Sequence, residues 1–257
     1  MNPNAAVATQ PAYAPFMTTR WSVVLSSADG EKDNDQARAA LSELCRIYWQ
    51  PVFAFICRWG YSVEDAQDLT QDFFVLVLEG NLLRQADPAR GRFRSLLLKS
   101  LQNFLADAHE KRSTKKRGGR VKFVPWNDGM GETPSNLRVP AHMMNTWTPE
   151  RLFDIRWAAT MVERALRRLR QECEARGRRR VFDVLSGLLS AERREVSYEE
   201  FSKPLGVTGD AVKRLIYHLR RRYRAILREE VAQTVADERE VEDEIRYLCA
   251  ALAAGSE

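Results

Sequence analysis

The fold is decided by Ser197-Tyr198-Glu199-Glu200-Phe201-Ser202-Lys203-Pro204-Leu205-Gly206-Val207-Thr208-Gly209-Asp210-Ala211-Val212-Lys213-Arg214. Its first half predicts a short helix that ends near Leu205, because Gly206 can adopt the left-handed backbone that terminates helices. Pro204 would strain that helix unless it stops early. Thr208 is suited to cap a second helix. Three apolar residues of the second helix would face a core, namely Val212, Leu215 and Leu219.

The predicted second helix is strongly basic. Residues 211–228 hold seven Lys or Arg residues and no acid. The side chains left outside the core are Lys213, Arg214, Tyr217, His218, Arg220 and Arg221. A recognition helix presents such an unburied basic face to the major groove of DNA. The alternative is a surface helix hairpin in a bundle, which the repulsion among like charges disfavours unless an anion lies opposite.

The remainder of the chain also has helical periodicity, and neither strand alternation nor an internal repeat is visible. We therefore predict an all-α protein with two helical domains joined by a flexible linker, the C-terminal domain being a helix-turn-helix. The predicted divisions are a disordered tail at 1–18, a first helical domain at 19–114, a linker at 115–149, the helix-turn-helix domain at 150–228 and an acidic, helical C-terminal extension at 229–257.

Several local signals support the predicted helices. Pro51 lies inside the first apolar run, so we expect a kink or break there. Ser62 and Asp65 fit a capping box, and Pro149 after Thr148 suits a helix start. The buried stripe predicted after Ser62 consists of Ala66, Leu69, Phe73, Leu76 and Val77, and that of the next helix of Phe93, Leu97, Leu101, Phe104 and Ala108.

The helix predicted after Ser62 carries an acidic stripe beside its predicted buried stripe. Asp65, Asp68 and Asp72 lie at i, i+3 and i+7, so they share one helix face. Such a face repels phosphate, and in a DNA-binding protein it should therefore meet a basic protein surface. Compensation of the helix dipole is the alternative, but it does not extend to Asp72, more than a turn from the helix start.

Three segments together resemble bacterial RNA polymerase sigma factors of the extracytoplasmic-function type. They are Asp65-Ala66-Gln67-Asp68-Leu69-Thr70-Gln71-Asp72-Phe73-Phe74, the helix from Phe93-Arg94-Ser95-Leu96-Leu97 to Asn103 and Asp107, and the Ser197–Arg214 stretch. The resemblance covers roughly residues 35–112 and 150–228. The chain departs from the family at Leu96, where tryptophan is common, and at Tyr217-His218, where His-Arg is common, so the promoter sequence is not carried over.

The resemblance implies three sets of site residues. Core RNA polymerase would be bound by Asp65, Asp68, Leu69, Gln71, Asp72 and Phe74. The minus-ten promoter element would be contacted by Arg92, Arg94, Lys99, Gln102 and Asn103, with the loop 82–92 capturing a flipped-out base. The minus-thirty-five element would be contacted by Thr208, Asp210, Lys213, Arg214, Tyr217, His218 and Arg221. Independently, lysine and arginine suit phosphates, whereas asparagine and glutamine suit base edges.

The implied function is promoter-specific transcription initiation, with core RNA polymerase and promoter DNA as partners and an anti-sigma factor as a further candidate. The first rival is a helix-turn-helix regulator that does not engage polymerase, and the acidic stripe discriminates against it. The second is an enzyme or structural helical bundle with a basic surface. The sequence contains no phosphate-binding glycine loop, dinucleotide fingerprint or metal-ligand cluster, so we expect no catalytic residue, cofactor or metal.

Cysteine spacing and hydropathy predict the cellular location of the protein. Four widely separated cysteines favour reduced, buried thiols in a cytoplasmic protein. We expect no membrane span, because apolar runs fall short of the ~18 residues that one needs. We expect no secretory signal, because the N-terminus lacks a charged region followed by an apolar one.

Two charged regions leave alternatives open. Eight arginines would either contact phosphate or polymerase or pair with carboxylates of neighbouring helices. They are Arg164, Arg167, Arg168, Arg170, Arg176, Arg178, Arg179 and Arg180. Residues 229–257 hold nine acids and two bases. A helix in this extension would either compete with DNA for the recognition helix or complete the core.

Overall fold

Helices make up the fold over residues 34–79, 92–115, 147–189, 197–235 and 237–253, the parts of the chain that the computed structural model describes. The α-helices are α1 (Asn34–Trp59), α2 (Val63–Leu78), α3 (Phe93–Lys115), α4 (Pro149–Ala175), α5 (Arg179–Leu185), α6 (Glu199–Leu205), α7 (Gly209–Ala232) and α8 (Val241–Ala253). No strand occurs in these ranges, so the all-α class is confirmed. The predicted tail 1–18 and residues 116–146 of the predicted linker lie outside the described residues.

Two predicted helix starts are confirmed by their caps. The Oγ of Ser62 accepts a hydrogen bond from the Asp65 amide at 3.1 Å. Similarly, the Oγ1 of Thr148 accepts from the Arg151 amide at 3.2 Å, with Pro149 in the first turn of α4. Each side chain satisfies an amide that has no partner within its own helix.

Of the kink or break predicted at Pro51, the break is wrong, because α1 continues through Pro51 as a single helix. Proline inside a helix costs about 3 kcal/mol through a lost hydrogen bond and a steric clash. Here the residues around it, including Tyr48, Val52 and Phe55, are fully buried. Burial of such large side chains stabilises by about 1.5–3 kcal/mol each, which offsets the proline.

The first hydrophobic cluster is organised by aromatic side chains of three helices. Tyr48 of α1 lies 5.1 Å from the Phe93 ring of α3 and 6.1 Å from the Phe153 ring of α4. Phe55 of α1 packs edge-on against Phe153 at 6.4 Å. These contacts fasten α1, α3 and the first half of α4 into one core.

The second cluster lies between α4, α5 and α7. It contains Ala165, Leu169, Cys173, Phe182, Leu185, Val212, Ile216, Leu219 and Ile226. The second half of α4 therefore packs in a different cluster from the first half, which contributes Phe153 and Trp157 to the first cluster. The two clusters meet within α4.

The C-terminal extension returns to the first cluster. Val235, Val241 and Leu248 are buried there, with Ile245 and Leu252 packed against them. Residues 229–232 continue α7, and Arg228 forms an ion pair with Glu242 of α8. The extension completes a hydrophobic core, which favours the second of the two roles weighed from the sequence.

Three of the four cysteines are buried as expected, but Cys249 on α8 is exposed. Burial raises the pKa of the Cys45 and Cys57 thiols to about 12 and also raises that of Cys173. None of the described helices combines the length and the apolar character that crossing a membrane requires.

Thiol labelling should therefore distinguish Cys249 from the other cysteines. At pH 8 we expect one fast-reacting thiol in the folded chain and four after denaturation, because only thiolates react rapidly. A spectrophotometric disulfide reagent measures both counts. Cys249→Ser is the control and should remove the fast phase; a fast phase that persists in this variant would contradict the packing around α1 and α4.

Candidate functional site

The turn between α6 and α7 has the geometry expected from the sequence. Gly206 adopts a left-handed conformation (φ 66°, ψ 33°), and the Val207 amide donates to the Ser202 carbonyl at 3.2 Å. The Oγ1 of Thr208 then accepts from the Ala211 amide at 3.3 Å and caps α7. Pro204 lies in the last turn of α6, so the helix ends immediately after the residue that would strain it.

The Glu199 side chain at the start of α6 lies close to Gly209 at the start of α7. A Cβ atom added to Gly209 would lie 2.6 Å from the Glu199 Oε1, so the exposed Glu199 side chain would have to move to admit any other residue. The Glu199 carboxylate and Asp210 place negative charge at the N-terminal end of α7, where the helix dipole favours it. Anion binding by α7 must therefore come from its basic side chains further along.

The outward face of α7 carries most of the predicted DNA-contacting residues. Arg214, His218 and Arg221 are exposed, and Tyr217 is 52% exposed with its ring 5.5 Å from that of His218. Val212, Ile216 and Leu219 are buried on the opposite face. The helix thus combines an apolar face in the second cluster with a basic face in solvent.

Two of the α7 bases that were predicted to lie outside the core, Lys213 and Arg220, have partners that the sequence did not reveal. Lys213 pairs with Asp210, its Nζ lying 3.2 Å from Oδ1, and also lies 5.9 Å from the Tyr198 ring centroid. Arg220 was predicted to point outward, but its Nε and Nη2 donate to the Leu188 carbonyl at 3.1 and 2.6 Å. Arg220 therefore fastens α7 to the segment after α5.

The exposed face of α2 is acidic in its first half and apolar in its second. Asp68, Gln71 and Asp72 are exposed, whereas Asp65 of the predicted acidic stripe is half-buried. Val75 and Leu78 follow on the same side and are 53% and 42% exposed. Sequence reasoning did not single out these two apolar residues, although both lie opposite the predicted buried stripe.

Three residues of α2 need correction. Phe74, predicted to contact polymerase, is buried and stacks on Trp49 of α1 at 5.5 Å. Leu69 is half-buried against the first cluster, whereas Leu76, predicted to be buried, is exposed. The buried stripe instead includes Thr70, whose hydroxyl donates to the Ala66 carbonyl at 2.6 Å and so satisfies its polar atom.

Arg94, predicted to contact promoter DNA, is buried and only 6% exposed. Its Nη1 lies 2.6 Å from Asp154 Oδ1, and its Nε lies 3.1 Å from Glu244 Oε1. Its guanidinium also stacks 4.1 Å from the Tyr247 ring centroid. Burial opposes the charge, but Glu244 and Asp154 outweigh it and raise the pKa of Arg94. Arg94 therefore holds α3, α4 and α8 together.

The other predicted minus-ten residues divide into two groups. Arg92 is half-buried with its Nη1 2.8 Å from Glu244 Oε2, and Gln102 is half-buried and donates to Glu150 at 3.1 Å. Lys99 and Asn103 are exposed on the same helix. The predicted base-capturing loop lies outside the described residues except for Arg92.

Carboxylates of the C-terminal extension pair with two bases in the C-terminal half of α7, Glu229 with Arg222 and Glu242 with Arg228. Glu244 pairs with Arg92 and Arg94, and Glu230 pairs with Arg164 and Arg168. Within the described part of the chain, no carboxylate of the extension forms an ion pair with Lys213, Arg214 or Arg221. Competition of the extension with DNA, as considered from the sequence, would therefore be limited to the C-terminal half of α7 and would not reach Lys213, Arg214 or Arg221.

Among the described residues, no cluster of three or more His, Cys, Asp or Glu side chains is placed to hold a metal ion. Comparisons of the chain with protein-family models, with curated proteins and with solved structures found no match.

Proposed function

We propose that the chain is a sigma-type transcription initiation factor with a polymerase-binding domain at 19–114 and a helix-turn-helix domain at 150–228. In this proposal α6 and α7 form the helix-turn-helix that binds the upstream element of a promoter. The observation that carries it is the basic outward face of α7, positioned by the Gly206 turn and the Thr208 cap.

The geometry of α7 suits reading of the major groove. In a helix-turn-helix, the N-terminal residues of the second helix contact base edges. Arg214 lies in the second turn of α7, is exposed, and has no carboxylate partner among the described residues. A free guanidinium is the side chain best suited to bidentate contact with guanine. We therefore assign base reading first to Arg214 and phosphate contact to Arg221.

Arg214→Ala should weaken binding to the preferred duplex by about 1–3 kcal/mol and relax specificity at one base pair. Lys213→Ala should cost less, because wild-type Lys213 must first leave Asp210. Fluorescence anisotropy with duplexes enriched from a random pool measures both effects. Arg246→Ala on α8 is the control for loss of one exposed positive charge. If Arg214→Ala weakened all duplexes equally, Arg214 would be a phosphate contact instead.

The exposed face of α2 supports polymerase docking. Carboxylates repel DNA phosphate, so this face suits a basic protein surface, and the adjoining Val75 and Leu78 would add apolar contact. On α3, Lys99 and Asn103 remain as the exposed candidates for contact with the downstream promoter element. The chain itself would make no covalent bond, because polymerase supplies the chemistry.

The test of this function is reconstituted transcription. Purified full-length chain is added to core RNA polymerase with a pool of DNA fragments, and the 5′ ends of the transcripts are sequenced. Discrete start sites that core polymerase alone does not use are the expected result. If the chain neither co-purifies with core polymerase nor changes its start sites, the proposal is wrong.

The second candidate is a helix-turn-helix regulator that does not engage polymerase. It is favoured by one observation: Arg92 and Arg94, which the sigma resemblance assigns to promoter contact, are instead held by Glu244. This candidate predicts sequence-specific duplex binding without any capture of core polymerase, so the same reconstitution separates the two.

A further inference from the structure

The connection between α4 and α5 forms a fixed, arginine-rich corner. The Arg178 amide donates to the Cys173 carbonyl at 2.7 Å, and the Gly177 amide donates to the backbone carbonyl of Glu174 at 2.9 Å. Gly177 has a φ of 65°. These bonds are the Schellman arrangement that ends a helix with a left-handed glycine. The side chains of Arg176, Arg178 and Arg180, here called the arginine corner, therefore project from a defined turn.

The carboxylates near the arginine corner are occupied by other bases. Arg179 forms ion pairs with both nearby acids. Its Nη1 lies 2.9 Å from the Glu174 Oε1, and its Nε lies 3.5 Å from the Asp183 Oδ2. Glu172 receives two hydrogen bonds from Arg222, each of 2.7 Å. Within the described ranges, the three arginines of the corner are exposed and form no ion pair.

The arginine corner lies beside α7, because the last turns of the helix that leads into it are joined to α7 through Glu172. Arg222 joins the last turns of α4 to one edge of α7, and Arg221, the preceding residue of α7, points outward. Arg222, and to a lesser extent Arg168 and Arg176, lower the pKa of Glu172. Arg222 also pairs with Glu229, so its charge is compensated, whereas Arg176, Arg178, Arg180 and Arg221 form no ion pair among the described residues.

Uncompensated guanidinium groups fit a ligand with repeated negative charge. Arginine binds phosphate oxygens in a bidentate manner, and duplex DNA presents one negative charge per about 1.7 Å of helix axis. An acidic protein would also satisfy the charge, but the position of the corner beside α7 favours the polyanion that α7 itself would bind.

We propose that Arg176, Arg178 and Arg180 bind phosphates of duplex DNA beside the segment that α7 contacts, and so enlarge the DNA-binding surface beyond the helix-turn-helix. This inference rests on the proposed DNA-binding function of α7. The corner would contribute affinity and orientation but no sequence preference, because phosphates are the same in every sequence.

The test uses the full-length chain with Arg178→Gln and Arg180→Gln together. Affinity is measured by fluorescence anisotropy for an enriched duplex and an unrelated duplex, over about 50 to 200 mM salt. Each lost phosphate contact reduces the slope of log affinity against log salt by about 0.9, so the slope should fall by about 1.8. The ratio of wild-type to variant affinity should then shrink about twelvefold across this salt range, equally for both duplexes.

The matched control is Arg239→Gln with Arg246→Gln, which removes two exposed positive charges beside α8. Its slope should equal that of the wild type. An unchanged slope in the corner variant, an equal fall in both variants, or a loss confined to one duplex would each overturn the inference.

Failure of the inference and failure of the proposed function are distinguishable. If Arg214→Ala still alters sequence preference while the corner variant keeps the wild-type slope, only the corner assignment falls. If the wild-type chain binds no duplex, the helix-turn-helix proposal falls and the corner assignment falls with it.

Discussion

Asp68→Lys combined with Asp72→Lys is expected to abolish capture of core RNA polymerase. Both carboxylates are exposed on α2 and form no ion pair among the described residues. Like charges placed opposite each other across an interface cost several kcal/mol, so affinity should fall by at least about a hundredfold. Immobilised core polymerase and purified chain measure this directly.

The fold should survive that double substitution. Exposed substitutions away from caps and cores usually change the free energy of unfolding by no more than about 0.5 kcal/mol. Asp107→Lys with Asp243→Lys applies the same change in charge on α3 and α8 and should leave capture intact. If the α2 variant kept wild-type affinity, docking through this face would be wrong.

Arg94→Met is expected to destabilise the protein by about 3–5 kcal/mol, because it leaves buried carboxylates without their main partner. Asp154 and Glu244 both lie within ion-pair distance of this guanidinium. Urea unfolding of the wild type and variant gives the difference. Arg246→Met, which breaks an exposed pair with Asp243 on α8, should cost less than about 1 kcal/mol.

A rescue variant separates lost pairing from lost packing. Arg94→Met with Asp154→Asn and Glu244→Gln removes the buried charges together and should recover most of the lost stability. If Arg94→Met alone retained wild-type stability but impaired promoter melting, Arg94 would be a DNA contact as the sequence suggested.

Local signals predicted the helices well. The caps at Ser62, Thr148 and Thr208 and the glycine at Gly206 depend on residues within a few positions of one another, so their outcome is determined locally. The basic face of α7 was also predictable, because the identity of its core residues leaves the opposite face to solvent.

Pairing between distant residues was not predictable in the same way. Arg94 and Glu244 are 150 positions apart, and nothing in either neighbourhood indicates the other. The assignment of Arg94 to DNA therefore assumed exposure that α8 removes. Phe74 was misassigned because it follows the buried Phe73, and the 100° step of a helix places it at the edge of the buried face. At such an edge a contact from another helix decides whether the side chain is buried, and here Trp49 of α1 covers Phe74.

The length of α4 has a practical consequence for dividing the chain. Its 27 residues form a rod of about 40 Å that is shared by two hydrophobic clusters. A fragment beginning at Trp147 would carry Phe153 and Trp157 without the α1 side chains that cover them. Such a fragment would present a wide aromatic stripe to water and self-associate. Experiments on the C-terminal half in isolation should therefore shorten α4 from its start or replace that stripe with polar residues.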